Sequence, residues 1–417
     1  MYVPLKLRMK KGKGRSAIKK SSAETVLVMQ AGGSLGAYEC GVFKSLAKHN
    51  VWFDIVAGTS IGSVNATVIV DSLTNNLQNK KSEAKNYNSE GKHKMLIEAA
   101  EKLERYWLNS ADNIMPQFLP FKIRSYISAA STFTFGHPVA FSPIWLYPGG
   151  PLLNNGLTSP YLYDTTKFKQ ALDKTVNFKN LRTDAKNNNN DDDDNGFFSP
   201  RLILACTDVQ KAETLVFDSH KMDITAEHVC ACIAYPFYGV KWAKIDERYL
   251  WDGSLLSSTP LRSVMTSSPL KEKEVIAIDL FPRHQEKIPR DFSETWHRAR
   301  DILFLDKSHY DVEVSDNLKE IFPLLEEMHD IIIDNTDVTQ DDKLKNRVEQ
   351  LEKKYNNIIK RRGRIIKELI QIKRNEKSHH SIFEDWDFSL QTIKELIKSG
   401  EQDAELALEK RKISSNV

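Results

Sequence analysis

Three short stretches of this chain carry residue types that could act together on a carbonyl: Ala31-Gly32-Gly33-Ser34-Leu35-Gly36, Gly58-Thr59-Ser60-Ile61-Gly62 and Tyr249-Leu250-Trp251-Asp252-Gly253-Ser254. A serine hydroxyl is a weak nucleophile at neutral pH. It needs exposure, a base and donors for the oxyanion. Glycines two residues to either side of Ser60 permit a sharp elbow that lifts the side chain clear, and a helix opening at Ile61 would aim its free N–H groups at the reacting centre. The glycine-rich stretch is expected to supply the anion hole through the backbone N–H groups of Gly32, Gly33 and Ser34. Such a turn can also cradle a phosphate or dinucleotide. No Gly-Lys-Ser follows it, however, and the next strand ends in the serine elbow rather than in an acidic ribose ligand, so the oxyanion reading is preferred.

The base is the less determined member. Asp252 closes an aromatic strand beside Gly253, where a desolvated carboxylate could take the Ser60 proton directly. The same Asp-Gly pair is equally the sequence of a plain turn. In a serine-acid-histidine triad His284 or His297 would serve, but that arrangement places several strands before the elbow. Here one strand and one helix precede Ser60.

The elements that must hold these residues follow from periodicity. Thr25 to Gln30 reads as a short buried strand, residues 37–49 as a helix and Trp52 to Ala57 as a second strand running into the elbow. Another helix follows, with Val64, Thr67, Val68 and Ser72 on one face. This order implies a parallel sheet with crossover helices, in which two strands joined by one helix are neighbours and their turns open at one edge. Strand signals return at Arg201–Cys206, Thr214–Phe217, Tyr249–Trp251 and Val275–Leu280, and fade beyond Asp291. Residues 341–373 carry apolar positions at helical spacing among charges, as do residues 387–412. They read as a hairpin packed on the core or as a dimerising coiled coil, although fewer than three heptads are clean.

Composition is that of a globular chain: 417 residues, 41% hydrophobic, 28% charged and a net charge of +3. Residues 6–20 hold eight Lys/Arg and no acid. They read as a solvated basic arm or as one drawn to anionic lipid headgroups; no motif points to nucleic acid. No run reaches the length of a membrane span and no signal sequence is visible. Cys40, Cys206, Cys230 and Cys232 match neither a zinc pattern nor a disulfide framework. A cytoplasmic chain is expected, with peripheral contact to a membrane as an option.

With these residues assembled, Thr25 to Leu280 resembles the patatin-like phospholipases. That family has a glycine-rich oxyanion loop, a Gly-x-Ser-x-Gly elbow and a distant Asp-Gly, matched here by Gly32-Gly33-x-x-Gly36, Gly58-x-Ser60-x-Gly62 and Asp252-Gly253. Ala231-Cys232-Ile233-Ala234-Tyr235-Pro236 is similar to the family's Ala-Ser-x-Ala-x-Pro. Thr259-Pro260 is similar to the end of its aspartate loop. Ala31, Leu35, Cys232 and Ser254 depart from the family's usual residues, and the loss of a basic residue at Leu35 leaves headgroup preference open. The resemblance implies a three-layer α/β/α fold with a mostly parallel sheet. It also implies a Ser60–Asp252 dyad, an acyl-enzyme intermediate and no metal or cofactor.

The expected organisation is a basic tail over 1–22 and an acyl hydrolase domain over 23–285, with a polar insertion at 75–93 and a low-complexity loop at 185–198. A helical extension over 286–417 completes it. The expected activity is lipase- or phospholipase-type cleavage of fatty-acyl esters. An acyltransferase using the same dyad and a non-catalytic lipid-binding protein are the alternatives. Residues 115–163 read as an apolar lid or acyl groove, or as ordinary core. The expected partners are a lipid substrate, an anionic membrane surface and a second copy bound through the C-terminal helices.

Overall fold

The computed structural model describes residues 23–79, 89–112, 121–137, 140–146, 159–182, 199–285, 288–305, 308–336, 342–359, 362–374 and 384–415. The basic tail and the low-complexity loop lie outside these residues, as do parts of the segment expected to form the lid.

Strand β1 (Glu24–Met29) is an apolar run whose Val26 to Met29 are wholly buried, the pattern of a parallel strand covered on both faces. A single 3₁₀ turn (Gly33–Leu35) leads into α1 (Gly36–Lys48), then β2 (Ile55–Thr59) and α2 (Ile61–Asn79). The second strand thus begins three residues later than expected and carries Gly58 and Thr59 within it. Next come α3 (Ser89–Ser110), α4 (Phe121–Phe135), the two-residue antiparallel pair β3 (Ser142–Pro143) and β4 (Tyr163–Asp164), and α5 (Thr166–Thr175). The polar insertion expected over 75–93 is helical at both described ends, in α2 and α3.

The chain then returns to the sheet with β5 (Arg201–Asp208), β6 (Glu213–Asp218), α6 (Ala226–Cys232), β7 (Ala243–Ile245), β8 (Arg248–Asp252), α7 (Leu261–Ser267) and β9 (Lys273–Asp279). It closes with α8 (Phe292–Phe304), α9 (His309–Thr336), α10 (Asp342–Ile359), β10 (Ile366–Lys373) and α11 (Leu390–Ser415). The sheet order is β10-β9-β1-β2-β5-β8-β7, with β6 also on β5. Strands β10, β9, β1, β2 and β5 run parallel, and β6, β7 and β8 make the antiparallel end. Among the described residues no helix is long and apolar enough to cross a membrane.

Two expectations fail in the C-terminal third. The helix expected over 341–373 ends at Ile359, and Ile366 to Lys373 form β10 beside β9, with Lys373 opposite Asp279. Strands therefore do not fade out after Asp291. In Ile366, Leu369, Ile370 and Ile372 apolar periodicity suits a helix or a strand; the open edge of β9 decides, because it offers a ladder of backbone partners. The extension expected to be helical thus also contributes a strand to the sheet, and its last helix, α11, packs on α1. Glycines make this contact close: a Cβ at Gly41 would overlap the Ile397 carbonyl, and one at Gly400 would overlap that of Tyr38.

Candidate active site

Strand register brings the three motifs to one edge. Met29 pairs with Gly58 in the β1–β2 ladder, so the glycine-rich loop and the serine elbow leave the sheet side by side. On the other side Thr59 pairs with Ala205, and Cys206 pairs with Asp252. Ser60, one residue past Thr59, and Asp252 therefore both come to the level of Cys206 on β5. Residues 192 apart in sequence meet because β5 lies between their strands.

Ser60 has φ of 55°, the left-handed region that a non-glycine residue enters at a cost of roughly 1–2 kcal/mol. The strain sits on the serine itself. The flanking glycines serve close approach: a Cβ on Gly58 would overlap the Gly62 carbonyl oxygen, and one on Gly62 would lie 2.6 Å from that of Met29. A tight strand-to-helix turn held this way, with α2 starting at Ile61, is the geometry that presents a hydroxyl at the sheet edge.

Asp252 is only 1% exposed. Its Oδ1 accepts the Ser254 N–H at 2.8 Å, whereas Oδ2 is buried without a hydrogen bond of good geometry. Burial pushes its pKa up to about 6, and hydrogen bonding from the Ser60 hydroxyl, then from Ser254, works against that rise.

Gly32, Gly33, Ser60 and Asp252 open onto one cavity of about 520 Å³, walled by Phe168, Ile233, Val240, Phe281, Phe304 and Trp386 among others. Gly33 adopts φ of 58°, while Gly32, at φ 172°, is ordinary extended backbone. Ser34 does not line the cavity. It is fully buried, and its hydroxyl donates to the Glu384 carbonyl at 2.5 Å. Of the expected supporting glycines, Gly36 opens α1 and Gly253 follows the aspartate at the end of β8.

Beneath the loop, Glu39 accepts the Gln30 N–H at 2.6 Å and the Asn65 amide at 2.9 Å; that amide also donates to Gly36 O at 2.9 Å. Trp107 Nε1–H reaches Asn65 Oδ1 at 3.0 Å, which fixes the amide's orientation. Both ends of the loop are thereby tied to α1 and α2. Burial raises the Glu39 pKa to about 8 against the pull of these hydrogen bonds.

Neither His284 nor His297 lines the cavity. His284 is exposed, and His297 faces Asp301 and Glu384, each at 3.5 Å. The histidine that does line it is His137, which burial pushes down to about pKa 4, so that it is neutral at physiological pH. Cys206, Cys230 and Cys232 are buried beside this site, and burial raises the Cys230 thiol to about 12. Sequence reading passed over Tyr235 and Tyr238 as wall residues, though Tyr235 sits in a quoted motif and Tyr238 lies two residues beyond it. It also missed Asp385, Trp386 and Phe388, for which no sequence signal exists.

A family model described as patatin-like phospholipase matches residues 27–265, more than half of the chain, and a second, described as patatin phospholipase, matches residues 337–417. Among solved structures, VipD from Legionella pneumophila is similar at 11% identity, covering 93% of this chain and 67% of that one with a TM-score of 0.34, a likeness too slight to carry an argument. No curated protein matches.

Proposed function

The chain belongs to the patatin-like phospholipases, and on that footing we propose that it is a serine acyl hydrolase cleaving fatty-acyl esters of lipids through a Ser60–Asp252 dyad. The observation that carries this is the convergence of Ser60, Asp252, Gly32 and Gly33 on a single apolar-walled cavity. Ser60 Oγ attacks the ester carbonyl while its proton passes to Asp252 Oδ2, the oxygen not engaged by Ser254 N–H. The N–H groups of Gly32 and Gly33 receive the tetrahedral oxyanion. The alcohol departs with the proton from Asp252, leaving an acyl group on Ser60. Water then attacks that ester, gives its proton to Asp252, and the fatty acid is released as Ser60 recovers its hydrogen.

The substrate chain would lie against Ile233, Val240, Phe168 and the aromatic wall. Each step is complete with the residues named, so none calls for a metal ion. The test is hydrolysis of p-nitrophenyl butyrate and of a lysophospholipid with chelator present. Wild type should be active, and Ser60→Ala and Asp252→Asn should each lose at least three orders of magnitude in kcat. Activity that survives in Asp252→Asn but disappears in a His284 or His297 variant refutes the dyad. Release of acylated alcohol instead of free acid would make the enzyme an acyltransferase.

A further inference from the structure

The glycine-rich loop is gripped from outside by a segment some 350 residues away. The turn Glu384–Trp386 is buried and lies across it. The Glu384 carbonyl accepts the Ser34 hydroxyl, and the Asp385 carbonyl presses so close to Gly33 that any Cβ there would overlap it. Gly33 is thus required twice, by its left-handed φ and by this contact.

The turn is anchored by charge. Arg300 from α8 donates to Asp385 Oδ1 at 2.5 Å, to Glu384 Oε1 at 3.3 Å and to Asp301 at 2.9 Å. Arg374, just past β10, donates to Glu384 Oε1 at 2.7 Å and to the Leu280 carbonyl at 2.8 Å. Tyr238 O–H closes on Asp385 Oδ2 at 2.5 Å. Trp386 packs edge-on against Tyr238 and Phe141, and Asp387 caps the start of α11 through Ser389 N–H and the Thr392 hydroxyl. A buried carboxylate left without its partner would be costly, so this network fixes the turn in one place.

Resting on the dyad reading, we propose that the 384–386 turn completes the oxyanion hole from behind, and that Asp385, with Arg300 and Tyr238, is a positioning residue for the Gly33 N–H. An oxyanion donor is effective only when aimed to within a few tenths of an ångström at the place where charge develops. The Glu39–Asn65 bonds hold the loop's ends from beneath. The turn holds its middle, where Gly33 has no side chain to anchor itself. Arg300 has a second effect, since it balances the Asp385 carboxylate, which would otherwise stand as a bare anion on the wall of a site that must stabilise another.

The test compares wild type, Ser34→Ala and Asp385→Asn, each normalised to the fraction of Ser60 labelled by a fluorophosphonate, so that partly unfolded protein does not count. Ser34→Ala keeps the backbone donor and removes only the tether. Asp385→Asn keeps the shape and removes the charge. Expected is a kcat loss per labelled site of about 10-fold for Ser34→Ala and on the order of 100-fold for Asp385→Asn, with KM within about threefold of wild type. Inhibition by a trifluoromethyl ketone, which mimics the tetrahedral state, should weaken in step with kcat. Restoring the carboxylate as Asp385→Glu should recover part of the loss. Unchanged kcat per labelled site in both variants, with an active wild type, overturns the positioning role alone. A wild type that neither labels nor hydrolyses overturns the dyad reading and this proposal with it.

Discussion

Asp252→Asn should abolish catalysis and at the same time make the protein harder to unfold at neutral pH. The carboxylate is buried, and its pKa stands at about 6 against an ordinary 3.8. Between those values the folded chain keeps a proton that the unfolded chain has released. Stability therefore falls as pH rises through this window, and the contribution present below pH 3.8 is gone above about 6. About two pH units at ~1.4 kcal/mol each amount to roughly 3 kcal/mol at pH 8, which the asparagine variant does not lose. At pH 5 only about half of that penalty has accrued, so the stability of the variant relative to wild type should grow by about 1.4 kcal/mol between pH 5 and pH 8. Urea denaturation of both proteins at the two pH values reads this directly, because any pH-independent effect of the asparagine cancels and so do the other titrating groups. The same carboxylate should make the wild-type kcat/KM fall tenfold per pH unit below about 6. A stability gap that is constant with pH, or that shrinks toward pH 8, would refute both the burial argument and Asp252 as a base tuned to near-neutral pH.

Ser60→Gly should be as inactive as Ser60→Ala yet more stable by about 1 kcal/mol in the same denaturation assay, since glycine takes the left-handed conformation without strain. Gly58→Ala should cost about 3 kcal/mol or more, because its Cβ would overlap the Gly62 carbonyl; a well-folded, active Gly58→Ala would mean that the elbow is looser than described. Glu39 also has a raised pKa, so wild-type stability should fall as pH climbs toward 8 while Glu39→Gln removes that part of the slope, as pH-dependent urea midpoints would show. Val240→Phe or Ile233→Trp narrows the cavity and should lower kcat/KM for long-chain esters at least tenfold while sparing butyrate; equal losses on both chain lengths would place the acyl chain elsewhere.

Much of the site was legible in the sequence because its parts are local. A glycine-rich turn after a buried strand, a glycine-flanked serine opening a helix and an aspartate ending an aromatic strand each declare themselves within six residues. The crossover rule makes the first two neighbours. What stayed ambiguous was whether Asp252 belonged to a turn or to the site. Local sequence cannot tell, since the distinction rests on β5 pairing with β2 on one side and β8 on the other. Ser34 shows what spacing leaves out. Its backbone N–H was expected at the oxyanion hole, while its hydroxyl donates to the Glu384 carbonyl, a partner no spacing argument could supply.

The limits of sequence are clearest after Asp291. Alternating and helical apolar spacings coincide over Ile366 to Ile372, and only the exposed ladder of β9 selects the strand. Residues Glu384 to Phe388 carry no motif, and their place is set by Arg300, Arg374 and Tyr238, which converge on them from three other parts of the chain. The chain's own order thus determined the serine elbow, the glycine-rich loop and the parallel core, because those follow from short-range backbone geometry and the burial of apolar runs. Which carboxylate meets the serine elbow, which walls shape the cavity and which segment packs on the glycine-rich loop were decided only by long-range packing, where the partner of each group lies far away in sequence.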